Sequence, residues 1–124
     1  MYQLTVFGRF AAAHSLRNFK GRCEALHGHN WRVEVTVAGK RLDPDSQILM
    51  DFGDLKDLMR ACLETLDHTH LNEVPPFDQD NPSSELIAKY IYEFVGPQLP
   101  DGVAMDQVAA WESDDSRAVY LGDG

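Results

Sequence analysis

Four of the five histidines of this chain stand in two tight groups, His27-Gly28-His29 and His68-Thr69-His70, and the fifth is His14. On an extended strand, His27 and His29 project from one face with backbones about 7 Å apart, at a rise of ~3.3 Å per residue, so both imidazoles can converge on one ion. Gly28 between them lets the backbone bend or be approached closely. If the strand that ends at His14 pairs with the strand that begins at His27, a third imidazole joins them. Three imidazoles without a thiolate or carboxylate make an open zinc site, whose free positions go to water or substrate. An HxH pair alone also has a structural or incidental reading; the third, strand-end histidine moves the balance toward a metal.

Cys23 lies four residues before His27, beside Arg22, in a segment without apolar periodicity. A thiol in that setting has reasons for a lowered pKa and for reactivity. Cys62, in contrast, falls on an apolar stripe and reads as core. Asp67 precedes His68, and a carboxylate beside an imidazole orients it and stabilises its charged form, as a general acid or base needs. A histidine at a helix C-terminus is also favoured by the helix dipole alone, so both readings stand. His70 reads as surface. Glu112 ends the apolar run Val108, Ala109, Ala110, Trp111, either as an exposed strand end or as an anchor for a ligand with paired N–H donors.

The elements that must position these groups follow from periodicity. Leu4, Val6, Phe10, Ala12 and His14 share one parity over residues 2–14, as a half-buried strand requires. Residues 15–26 break the pattern and read as a loop. Residues 27–38 alternate cleanly, with His27, His29, Trp31, Val33, Val35 and Val37 on one face. Leu55, Leu58, Met59, Cys62, Leu63 and Leu66 form one helical stripe, and Leu86, Ile87, Tyr90, Ile91, Phe94 and Val95 a second. Asn81-Pro82-Ser83-Ser84 supplies cap residues for the second helix. Residues 103–112 and 116–121 read as closing strands. The order ββααββ predicts an α+β fold: a four-stranded antiparallel sheet with two helices on one face, and the other face and the edges uncovered.

The 124 residues suit one domain over 1–124, and 44% hydrophobic with 25% charged residues is the composition of a globular chain with a real core. No apolar run approaches the roughly 20 residues that span a bilayer, which argues against membrane partners. The N-terminus lacks the pattern of a signal peptide, and two cysteines are too few for a disulfide scaffold, so a cytoplasmic setting is expected. The net charge of −9 makes a poor nucleic-acid binder. It is unevenly placed, however: residues 1–41 hold seven of the eleven basic residues and only two acids. This surplus is either scattered surface charge or a local site for a small anion.

Five ordered motifs now stand together: Cys23-x3-His27-Gly28-His29-Asn30-Trp31, Met50-Asp51-Phe52-x2-Leu55-Lys56, Leu66-Asp67-His68-x2-Leu71-Asn72, Asn81-Pro82-Ser83-Ser84-Glu85 and Trp111-Glu112-Ser113. In this order they resemble the 6-pyruvoyl-tetrahydropterin synthase superfamily over nearly the whole chain. The three-residue gap between Cys23 and His27 looks more like its bacterial 6-carboxy-5,6,7,8-tetrahydropterin synthases of queuosine biosynthesis. The resemblance implies the tunnelling fold, with trimers paired into homo-hexamers and sites at subunit interfaces. It implies zinc on His14, His27 and His29, Cys23 as the proton-abstracting base, and Asp67 with His68 as a companion relay. Glu112 would anchor the pterin and share in proton transfer, with Ser83 and Ser84 nearby. Ser83 stands where the family usually has threonine, and Gln47 replaces a common turn glycine.

The implied reaction is conversion of 7,8-dihydroneopterin triphosphate to 6-carboxy-5,6,7,8-tetrahydropterin, acetaldehyde and triphosphate. Arg17, Lys20 and Arg22, flanking the zinc site without an intervening acid, would meet the triphosphate. Two alternatives remain: a 6-pyruvoyl-tetrahydropterin synthase, which eliminates triphosphate and keeps the carbon chain, and a silent zinc- or pterin-binding oligomer. A silent binder would need only the zinc ligands, so Cys23, Asp67, His68 and Glu112 together argue for catalysis.

Overall fold

The computed structural model describes residues 1–123. Its elements are β1 (Tyr2–His14), β2 (His27–Gly39), α1 (Phe52–Glu64), β3 (Thr69–His70), α2 (Ser84–Val95), β4 (Ala104–Ser113) and β5 (Ser116–Tyr120), with short 3-10 turns at Leu71–Glu73 and Gly96–Gln98. The α+β architecture and the ββααββ frame are those expected from the periodicity.

β1 and β2 pair antiparallel over their full length, in a register that sets His14 opposite His27 and Ala12 opposite His29. Val6, Phe10, Ala12 and His14 of β1 face the same side as Trp31, Val33, Val35 and Val37 of β2, and all are buried. Both helices cover that side. Asp51 caps α1 by accepting from the Gly53 N–H, and Ser83 caps α2 by accepting from the Leu86 N–H. The buried stripes Leu55, Met59, Cys62, Leu63 and Ile87, Ala88, Ile91, Val95 then join one core cluster with the strands. Gly8 permits α1 to pack closely on β1, since a Cβ there would stand 2.8 Å from Leu63 Cδ1 and Met59 Cε.

One expectation needs correction. The sheet has five strands in the order β3-β1-β2-β4-β5, and β3 lies parallel to β1, pairing Ala12 with Thr69 and Ala13 with His70. The physical cause is local: the His68 N–H donates to the Ala11 carbonyl at 2.6 Å and draws the chain alongside β1 as it leaves α1. Two residues are too short to write a period of two into the sequence. His70, expected at the surface, is half-buried by this pairing.

The sheet face away from the helices carries a polar and aromatic stack. Glu34 accepts from the Trp111 indole N–H at 2.9 Å, and the Arg32 guanidinium lies between the rings of Phe7 and Trp111 at 5.0 and 5.3 Å. Among the described residues, no helix is long and apolar enough to cross a membrane.

Candidate metal centre and active site

The pairing of β1 with β2 builds the centre. His14, His27 and His29 stand on the helix-facing side at the strand ends, with ring centroids 4.7 to 5.2 Å apart. Trp31 is their floor, edge-on to His14 at 5.0 Å and to His29 at 5.3 Å. Two tautomers are fixed by carbonyls: His14 Nδ1–H donates to Pro82 O at 2.7 Å and His27 Nδ1–H to Ala25 O at 2.8 Å. Each bond leaves the Nε2 lone pair free for a ligand, the usual outer-shell arrangement of a metal-binding histidine.

Glu112 arrives from β4, where the pairing with β5 shifts register between Trp111 and Ser113. Its parity with the buried Val108 and Ala110 puts its side chain on the helix-facing side. Glu112 Oε1 lies 2.8 Å from His29 Nε2, 3.4 Å from His14 Nε2 and 4.0 Å from His27 Nε2. Ligand atoms of all four residues lie within 4.8 Å of one another. His14 Nε2 and His29 Nε2 are nonetheless buried without a hydrogen-bond partner, so the carboxylate sits off the axis of both ring nitrogens. Burial holds the His29 imidazole below its ordinary pKa and His14 and His27 add to this, while Glu112 opposes it. The neutral form is the one that binds a metal. Orphaned lone pairs, fixed tautomers and imidazole-rich chemistry fit a divalent transition ion.

The loop from His14 to His27 is anchored where sequence reasoning saw nothing. Asn72 accepts from the Ser15 N–H at 2.9 Å and donates to the Ser15 carbonyl at 2.8 Å. Asn81 does the same for Arg17, at 2.8 Å each way. Both asparagines thus act as neighbouring strands would. Both occur in the quoted motifs, but no periodicity marks a side chain that imitates backbone.

The remaining expected residues fall into separate places. Cys23 is exposed on the loop as a free thiol, and Cys62 is free and buried, with burial pushing its thiol up to about 12. Asp67 accepts from the Ala11 N–H at 2.9 Å and contacts His68 Nδ1 at 2.9 Å, and these bonds hold its carboxyl below the usual range. The His68 side chain is 82% exposed and has φ of 56°. It borders a shallow depression lined by Ala11, Ala13, Gly28 and Asn30, which point away from the helices, and by Ala12, His29 and Thr69. Ser84 Oγ reaches Glu112 Oε2 at 3.5 Å, whereas the Ser83 hydroxyl is the cap of α2.

Arg17 is placed differently from its two neighbours. Its guanidinium donates to the carbonyls of Asp80, Asn72 and Phe77 at 3.0, 3.3 and 2.8 Å. Lys20 and Arg22 are exposed on the loop, Lys20 with its ammonium 5.1 Å from the Phe19 ring centroid.

A model described as 6-pyruvoyl tetrahydropterin synthase matches residues 3–123, nearly the whole chain. The chain belongs to this family. It is 39% identical over 103 residues to 6-carboxy-5,6,7,8-tetrahydropterin synthase of Bacillus subtilis, covering 79% of this chain and 68% of that protein. It is 36% identical over 128 residues to human 6-pyruvoyl tetrahydrobiopterin synthase, covering 92% and 87%. Among solved structures, Caenorhabditis elegans 6-pyruvoyl tetrahydropterin synthase superposes with a TM-score of 0.85 at 25% identity, covering 98% of this chain and 96% of that one. The tetrahydropterin synthase family therefore includes relatives of both product types at similar distance.

Proposed function

We propose that this chain is a cytoplasmic, zinc-dependent carbon–carbon lyase that converts 7,8-dihydroneopterin triphosphate to 6-carboxy-5,6,7,8-tetrahydropterin, acetaldehyde and triphosphate, a step in queuosine biosynthesis. The observation that carries it is the convergence of three histidines with free Nε2 atoms beside a loop bearing an unpaired thiol. His14, His27 and His29 would hold zinc, which when bound polarises substrate hydroxyls and makes the adjoining carbon acidic. The three-residue gap from Cys23 to His27 and the Bacillus relative favour the carboxy product.

In this reading Cys23 takes the proton from the side-chain carbon as its thiolate, and the triphosphate leaves. His68, steered by Asp67, moves protons on the substrate's other side. Glu112 and Ser84 receive the N–H edge of the pterin, and the Ser83 hydroxyl serves them indirectly by starting α2. Lys20 and Arg22 meet the triphosphate, while Arg17 holds the loop that presents them. His68 opens on the sheet face opposite the metal cluster, and this supports a homo-hexamer, a dimer of trimers, in which one chain's His68 serves another chain's site.

Incubation of purified protein with 7,8-dihydroneopterin triphosphate tests the reading by mass spectrometry. Acetaldehyde with the 6-carboxy product is expected. Triphosphate release with a retained three-carbon chain identifies the 6-pyruvoyl activity, to which the human relative points. No consumption at all points to a silent binder.

A further inference from the structure

Glu112 is the one member of the cluster that the open three-histidine arrangement does not need, and its position has a geometry of its own. Four donors around a tetrahedral zinc at bonds of 2.0–2.1 Å stand about 3.3–3.4 Å from one another. The Glu112 Oε1 separations from the three histidine Nε2 atoms are 2.8, 3.4 and 4.0 Å, scattered about that edge length. A hydrogen bond with His29 accounts for the shortest contact at most: the same oxygen lies 3.4 Å from His14 Nε2, which is buried without a partner of its own. Atoms that approach one another without pointing at one another share a third target.

The second carboxylate oxygen and the local backbone agree. Oε2 faces the Ser84 hydroxyl at 3.5 Å, at the first residue of α2, where a helix end favours negative charge. Glu112 shares the parity of the buried Val108 and Ala110, so β4 sets its carboxylate on the helix-facing side with the cluster.

We propose that Glu112 is the fourth ligand of the ion in the substrate-free protein, closing a centre that would otherwise carry an open position. The proposal rests on the functional reading in one respect. A pterin that takes both Glu112 oxygens on its paired N–H donors draws the carboxylate off the ion, so seating the ring opens the position that the side-chain hydroxyls then use. The centre is therefore open only when the ring is in place.

The test uses the full chain loaded with cobalt(II) or zinc and no pterin. Azide added to the wild-type cobalt protein should leave its visible spectrum unchanged at concentrations that shift that of Glu112→Gln, with at least a ~10-fold difference in azide affinity. Zinc affinity, by chelator competition, should fall at least roughly 100-fold in Glu112→Gln, beyond the 10- to 100-fold lost with a group that only supports a ligand. Equal azide affinity and equal zinc affinity in the two proteins overturn the inference. If Glu112→Gln does not fold, a zinc-minus-apo infrared difference spectrum of the wild type decides: carboxylate bands are expected, and imidazole bands alone overturn it. A pterin without a side chain is added last to the wild-type cobalt protein and should make it responsive to azide. Failure of that arm alone counts against the pterin reading, because ligation is measured without it.

Discussion

The metal corner and the Asp67–His68 corner both meet the last residues of β1 and are built on opposite terms. His14 is 2% exposed, paired in register with His27, and held at Nδ1 by a carbonyl. His68, next to an Asp67 anchored at Ala11, is 82% exposed and has a left-handed backbone. Backbone strain of that kind concentrates at functional sites. The first corner is finished within one chain, and the second leaves its imidazole free on the other face. In the proposed reading, the groups that bind are fixed in advance and the groups assigned to proton transfer are left open.

The sharpest way to break this contrast is to remove a binding group. His27→Ala or His29→Ala should cost roughly 10²- to 10³-fold in zinc affinity, since a site worth about 10–16 kcal/mol spread over four donors gives each ~2.5–4 kcal/mol. Metal analysis after dialysis reads this, and stoichiometric zinc at wild-type affinity in either variant would remove the assignment. Cys23→Ala should leave zinc content intact and lower turnover by about 100-fold or more, the usual worth of a positioned base. An effect on zinc rather than on turnover would move Cys23 to the metal corner.

Smaller effects sharpen the division within the loop. Lys20→Glu with Arg22→Glu should raise KM for the triphosphate substrate at least ~10-fold at low salt, about 1.4 kcal/mol. The rise should shrink with ionic strength, because exposed charges are screened beyond roughly 8–10 Å. Arg17→Glu belongs to another class: it breaks three carbonyl contacts and should lower thermal stability, whatever the salt. Cys62→Ala should cost about 1–2 kcal/mol of stability by opening a cavity, with turnover near wild type. Last, Asp67 has a depressed folded pKa, so its contribution to stability is present above the ordinary carboxylate range and fades as pH falls through the lowered value. Asp67→Asn should flatten that acid limb in a pH series of melting temperatures.

Residue types and spacing made the metal corner legible because strand periodicity fixes both which face a histidine takes and, at strand ends, which partner it meets. The helical stripes were legible for the same reason, and Cys62 fell where its stripe put it. β3 was not legible, because a two-residue strand is made by its neighbour. Nor was the fate of Arg17: a cation near a metal reads as an anion contact, and only the folded loop brings the carbonyls of Asn72, Phe77 and Asp80 around it. Glu112 kept two readings for a similar reason, since the histidines it meets come from two other strands.

The His14 hydrogen bond to Pro82 spans 68 residues of chain, and Asn72 and Asn81 reach back across 57 and 64. Closing loops of that length precedes any reward from them during folding. The native three-histidine arrangement is therefore incomplete until late: His27 and His29 are close in sequence, and His14 is held in place when the start of α2 docks. Metal capture at full affinity is then expected late in folding, and the rate at which a refolding chain takes up zinc should track docking of α2 rather than formation of the β1–β2 pair alone.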